Sequence, residues 1–170
     1  MHIEQDAKLA GLPGGFQWGA AKAGIKASGN LDVAVAVAPK MATAAAMFTR
    51  NQVVAAPVTV GRRHLAATGG RVGAVLVNAG NANCATGQPG IDACISTCSA
   101  AAETFGCIFD EVFPSSTGII GVPLPAEKLI AALPRIQATL GSTDEHAELF
   151  AQAILTTDTK KKVARAVVEI

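Results

Sequence analysis

Three adjacent hydroxyl side chains and a glycine, Ser115-Ser116-Thr117-Gly118, follow the short apolar run Val112-Phe113 and Pro114. Because glycine has no Cβ, Gly118 lets a backbone N–H come close to a bound group. Small, hydroxyl-bearing turns after a strand suit an anion or a developing oxyanion. The same residue types also satisfy backbone groups in ordinary strand-to-helix turns, so local chemistry leaves both roles open. No equally plain nucleophile or base accompanies them. His2 lies in a polar N-terminal stretch, and His64 and His146 are read on exposed helix faces without a cysteine or serine partner. The phosphate-binding patterns G-x-x-x-x-G-K-[ST] and G-x-G-x-x-G are absent, as is the G-x-S-x-G elbow of α/β-hydrolases. The chain offers donors for a negative charge and nothing obvious to make one.

The remaining candidate groups read as structural. Cys84, Cys94, Cys98 and Cys107 lack the paired C-x-x-C spacing of common zinc sites, and no metal is expected. Cys94 and Cys98, one helical turn apart, fit an apolar helix face as small buried hydrophobes. Lys22 and Lys26 are read as solvent-exposed, the usual place for lysine. Arg62, Arg63 and His64 are read as a solvated helix face. The run Asn78-Ala79-Gly80-Asn81-Ala82-Asn83 leads from the end of a strand into a loop over 79–87, where residues that tolerate left-handed backbone and bond nearby amides mark a structural loop.

Composition narrows the classes. In 170 residues, 50% are apolar and 16% charged, enough for one well-packed domain and too apolar for disorder. With 4% aromatic residues and a net charge of +1, the chain has neither a base-stacking platform nor a basic groove, so no nucleic acid is expected. No apolar run approaches a bilayer span, and the start Met1-His2-Ile3-Glu4-Gln5-Asp6 is acidic where a signal peptide is basic. A cytoplasmic protein that does not bind membranes is the expectation.

Elements that would carry these groups follow from periodicity. Residues 1–13 are polar and expected to be a mobile tail, with the folded domain over 14–170. Leu31 to Ala38 alternates Leu/Val with mostly alanine, which predicts a strand packed closely on both faces. Pro39-Lys40 is read as a turn leading to a neighbouring strand over 43–49. A short helix is expected over 58–67, a strand over 72–78, and a helix from Ile91 to Phe105. A strand at Glu111 to Phe113 leads into the hydroxyl-rich turn. Pro125 opens a further helix, bent or interrupted at Pro134. Ser142-x-x-Glu145 is read as a capping box for a last helix with Leu149, Phe150 and Ile154 inward, and 163–170 alternates as a strand. Strands and helices in this irregular order give an α/β, or α+β, layered fold.

Taken together, Gly24-Ile25-Lys26, Phe48-Thr49-Arg50-Asn51, Ala56-Pro57-Val58, the asparagine run, Ser116-Thr117-Gly118-Ile119-Ile120-Gly121 and Thr156-Thr157-Asp158-Thr159 resemble the ornithine acetyltransferase family, in the family's own order. These are the bifunctional glutamate N-acetyltransferases of arginine biosynthesis. Ala79 stands where the family often has serine and Cys84 where it often has alanine, both small-for-small changes. The resemblance covers the chain from about residue 14 and implies the N-terminal α chain of the ornithine acetyltransferase (DmpA-like) fold. It further implies a precursor that cuts itself before a threonine, which becomes the nucleophile of a β chain in an α2β2 assembly. Acetyl would pass from N-acetylornithine to glutamate, with acetyl-CoA a possible second donor and no bound cofactor. On the matching residues, Thr117 and Gly118 would form the oxyanion hole and Thr156 would contact substrate.

The sequence stops at Ile170, before the family's cleavage threonine, which is read as a shortened α chain with no nucleophile of its own and no activity alone. Two other functions fit less of the pattern. One is a related self-processing aminopeptidase, and the other is a non-catalytic module whose Ser115–Gly118 turn holds an anion.

Overall fold

The computed structural model describes residues 4–5 and 12–165. A four-stranded mixed sheet forms its centre, in the order β2-β3-β4-β5, from β2 (Gln17–Ala21), β3 (Val33–Thr43), β4 (Arg71–Asn81) and β5 (Val112–Ile119). β3 runs antiparallel to both β2 and β4, whereas β4 and β5 are parallel. A two-stranded ladder joins β1 (Glu4–Gln5) to β6 (Ala164–Arg165). Most of the tail over 1–13 and the strand over 166–170 lie outside the described residues.

The parallel step from β4 to β5 needs a crossover, supplied by α2 (Gly87–Phe105) and a 3-10 turn over Phe109–Glu111. α1 (Ala56–Ala67) lies against β5 and α2, and α3 (Ala126–Ala138) against α2 and β2. Alternation in the strands decides the core. Val33, Val35 and Val37 of β3 join Ala74 and Leu76 of β4 on one face, and Leu129, Leu133 and Ile136 of α3 close over them with Cys94 and Cys98 of α2. Ala34, on the opposite face, is fully buried as well, as the close-packing reading of the alanines requires. α4 (Asp144–Ala153) packs on β2 and β3.

Several elements differ from the sequence reading. β3 continues through Pro39 and Lys40 instead of turning there, because a slip in register between Val37 and Ala42 spares the ladder the missing proline N–H. β5 likewise runs through the hydroxyl-rich segment, so Ser115 to Gly118 is strand and not turn. α3 contains Pro134 without ending there. α4 starts after Thr143, not from a Ser142 box. Thr143 makes no side-chain cap bond and instead meets His146 Nδ1 at 2.6 Å through its Oγ1. Its inward residues are Ala147 and Ala153, while Leu149 and Ile154 are exposed, because close approach to the sheet favours the small side chains. His64 is buried, not solvated: its Nδ1 donates to Val112 O at 2.8 Å and its ring stands edge-on to Phe109.

Candidate active site

At the C-terminal end of the parallel pair, Asn78 lies opposite Ser116, Ala79 opposite Thr117, and Gly80 opposite Gly118. The register then slips, with Asn81 pairing to both Thr117 and Ile119. Gly118 sits at φ +137° and Gly80 at φ +104°, backbone that L side chains rarely adopt. A Cβ on Gly118 would run into the Gly80 carbonyl and come 2.5 Å from Asn81 N. Two backbones therefore meet here with no side chain between them. The regular ladder stops at a half-exposed Thr117 and an exposed Gly118 on the edge strand.

Behind this edge, the asparagine run forms a hydrogen-bond network, and β4 carries it as strand through Asn81 where a loop from Ala79 was expected, because β5 pairs with it there. Ser116 Oγ donates to Asn78 Oδ1 at 2.6 Å, and Asn78 Nδ2 donates to Asn81 O at 2.8 Å. Asn81 Oδ1 accepts from Asn83 N, while its Nδ2 reaches the carbonyls of Val122 and Pro123. Asn83 is fully buried at φ +45°, donating to Gly90 O and accepting from Thr86 Oγ1. Each buried amide is satisfied at both ends, which is what rigidity at such a site needs. The turn from Ile119 to Val122 is thereby pinned to the Asn81–Cys84 loop, with Ala82 N bonded to Ile119 O and Gly121 N to Cys84 O.

A second locus lies where the chain enters the sheet. Asp32 is fully buried, and its carboxylate accepts the backbone N–H of Ala23 and Ile25 at 2.6 Å and of Lys26 at 3.0 Å. That fixes the small-residue loop before β3. Lys26, read from sequence as exposed, is half-buried instead, and its Nζ donates to Leu31 O at 2.7 Å and to Ala153 O at 2.8 Å. Burial lowers its pKa from the ordinary lysine value, and the Asp32 carboxylate pulls in the opposite direction. Beside it opens a cleft of about 650 Å³ lined by Lys22, Lys26, Asn30, Thr156, Asp158 and Thr159, among others.

Thr156 thus lines this cleft, whereas Thr117 and Gly118 do not. Gly80 links the two places: a Cβ there would lie 3.1 Å from Lys26 Cγ, and a Cβ on Gly118 would run into the Gly80 backbone. Asp32 and Lys26 were missed as site-building residues. The one available signal was a lone acid at the mouth of an apolar strand, next to a loop rich in Gly and Ser. The cysteines are free, with Cys94 and Cys98 buried as expected. Among the described residues, no group of three or more His, Cys, Asp or Glu is placed to hold a metal, and no helix is long and apolar enough to cross a membrane.

The ArgJ family profile matches residues 17–170. This chain belongs to the ArgJ family. An arginine biosynthesis bifunctional protein ArgJ from Thermus thermophilus is 48% identical over 155 residues, covering 91% of this chain and 39% of that protein. The ArgJ of Neisseria gonorrhoeae is 42% identical over 144 residues, or 85% of this chain and 34% of that protein. The chain therefore spans less than two-fifths of the length of these relatives. Among solved structures, ornithine acetyltransferase from Mycobacterium tuberculosis, in complex with ornithine, superposes with a TM-score of 0.86 at 36% identity, covering 96% of this chain and 87% of that one. The ArgJ of Bacillus halodurans gives 0.84 at 30% identity, with coverages of 96% and 91%. The expected fold is thus the observed one. The matched ArgJ crystal chains are nearly spanned by this sequence, although the full-length ArgJ relatives are far longer.

Proposed function

We propose that this chain is the α-chain part of a self-processing ArgJ acetyltransferase that moves acetyl from N2-acetylornithine to glutamate. In this reading a threonine at the start of a β chain attacks the acetyl carbonyl, the amide C–N bond breaks, and ornithine leaves with a proton on its amine. The acetyl ester then passes to the glutamate amine and the threonine is freed. Thr117 and Gly118 supply donors to the oxyanion formed in each half, and Thr156 contacts substrate from the neighbouring cleft. Acetyl-CoA is a second donor in this scheme, consistent with relatives named as bifunctional.

The observation that carries the reading is the meeting of Gly80 and Gly118 without room for a Cβ, just where the β4–β5 register slips. A preorganised backbone edge of this kind stabilises developing charge without reorganising during reaction. Processing into two chains is supported by the short crystal chains of the relatives, which this sequence nearly spans. The names of those relatives favour acetyl transfer over peptide hydrolysis. Oxyanion donors contribute about 3–4 kcal/mol each, which does not replace a nucleophile, so the α chain alone is inactive in this scheme.

The test is ornithine release from N-acetylornithine, with glutamate as acceptor, by this chain assembled with its β chain. Thr117→Val keeps the shape and removes the hydroxyl. Its kcat is expected to fall about 10²–10³-fold with a smaller change in KM. A processed complex without turnover, or a variant within twofold of wild type, would overturn the assignment.

A further inference from the structure

We infer that Lys26 is a positioning residue that ties the substrate-side segment at Thr156 to the oxyanion-side edge at Gly118, with its ammonium holding one and its stem supporting the other. The inference rests on the acetyl-transfer reading above for what the two places do. It rests on geometry for the tie itself.

The head of Lys26 spans 127 residues of sequence. It bonds Leu31 O, beside the Asp32-anchored loop, and Ala153 O, the last residue of α4. Ala153 precedes Thr156 by three residues, so this one ammonium fixes the point from which the Thr156–Thr159 segment departs. A cation at a helix C-terminus satisfies carbonyls that have no intrahelical partner and faces the favourable end of the helix dipole. Both acceptors are carbonyl oxygens, so the head must be a donor only, and an ammonium meets that need with protons in several directions. The stem does a separate job. Its Cγ lies 3.1 Å from where a Gly80 Cβ would stand, and Gly80 is the residue against which Gly118 is packed. Lys26 N is itself held by Asp32, so the tether is fastened at its root as well as its tip. The depressed pKa of the ammonium fits a head drawn out of bulk water onto these carbonyls.

Head and stem can be separated by substitution. Lys26→Met keeps an apolar stem over Gly80 and removes the donors. In the processed full-length complex it should raise KM for N-acetylornithine about tenfold, the scale of one charge-assisted bond, and leave kcat within about threefold. Lys26→Ala removes the stem too, and kcat should fall further. Lys26→Arg keeps charge and donors and should return KM towards wild type. Hydrogen exchange of the amides over 154–159, measured on the same proteins, should quicken in the Met and Ala variants and stay slow in the Arg variant.

An unchanged KM in Lys26→Met, a fall in its kcat without a rise in KM, or unchanged exchange over 154–159 would each overturn the tether. A wild-type complex inert towards N-acetylornithine would instead remove the acetyl-transfer reading. The exchange pattern, which needs no turnover, would then still decide whether Lys26 holds the segment.

Discussion

Replacing Asp32 should be the most damaging single change on the polar side of this fold. Its carboxylate is fully buried and takes three backbone N–H groups, from Ala23, Ile25 and Lys26. A hydrogen bond to a charged acceptor contributes about 1.5–3 kcal/mol net. The donors belong to a half-buried loop, where water recovers part of each loss, so the lower end of that range applies. Asp32→Ala should therefore cost about 4–5 kcal/mol, a fall in Tm of about 10–15 °C for a chain of this size. Asp32→Asn is the sharper comparison. Its amide oxygen can replace Oδ2 towards Ile25 and Lys26, but its NH2 then faces the Ala23 N–H, donor against donor. About half of the Ala penalty should result. Urea unfolding followed by circular dichroism reads both, with the midpoint shifting and the slope constant. An Ala variant that loses less than about 1 kcal/mol would refute the view that this carboxylate organises the loop. An Asn variant as costly as Ala would refute the assignment of which oxygen serves which amide.

Two further outcomes are expected. Ser116→Ala removes the donor to Asn78 Oδ1, leaving a buried oxygen short of a partner, and should cost about 1–3 kcal/mol in urea unfolding with a smaller loss in kcat than Thr117→Val. The thiols of Cys98 and Cys107 are pushed up, the first by its bond to Cys94 and by burial, the second by burial and the Glu111 carboxylate. Because their pKa is raised in the fold, the protonated state they stabilise is fully present below the unfolded thiol value of about 8.5, and that stability is lost as pH rises above it. Urea midpoints should therefore fall above about pH 9, and Cys98 should resist alkylation in the native chain at pH 8. Rapid native labelling of Cys98 would contradict its burial.

What could be read from the sequence was whatever one periodicity or one local motif determines. Val33, Val35 and Val37 alternating with alanine announced a strand buried on both faces, and Leu129, Leu133 and Ile136 announced a helix stripe. The asparagine run was read as a loop from Ala79 onward, yet β4 continues through Asn81, because β5, some 38 residues on, supplies a ladder partner that no local pattern announces. Lys26 was misread because its burial comes from Ala153, 127 residues away, which no window of sequence contains. His64 was misread for the same reason, its partner Val112 lying 48 residues on. Pro39 suggested a turn because an unbroken ladder cannot use it, whereas a slipped register can. For α4, hydrophobicity pointed to Leu149 and Ile154, but close approach to the sheet selected Ala147 and Ala153.

The parallel pairing of β4 with β5 also sets when the site comes into being during folding. Asn78 and Ser116 are 38 residues apart and cannot pair until the whole α2 crossover has closed, a step that carries a loop entropy no hairpin would. α2 can form on its own timescale, and β3 can meet β4 without β5. The Gly80–Gly118 contact therefore cannot precede closure of that crossover. No species that lacks the crossover displays a finished edge at Gly80 and Gly118, and any assembly step that recognises this edge selects for chains that have completed it.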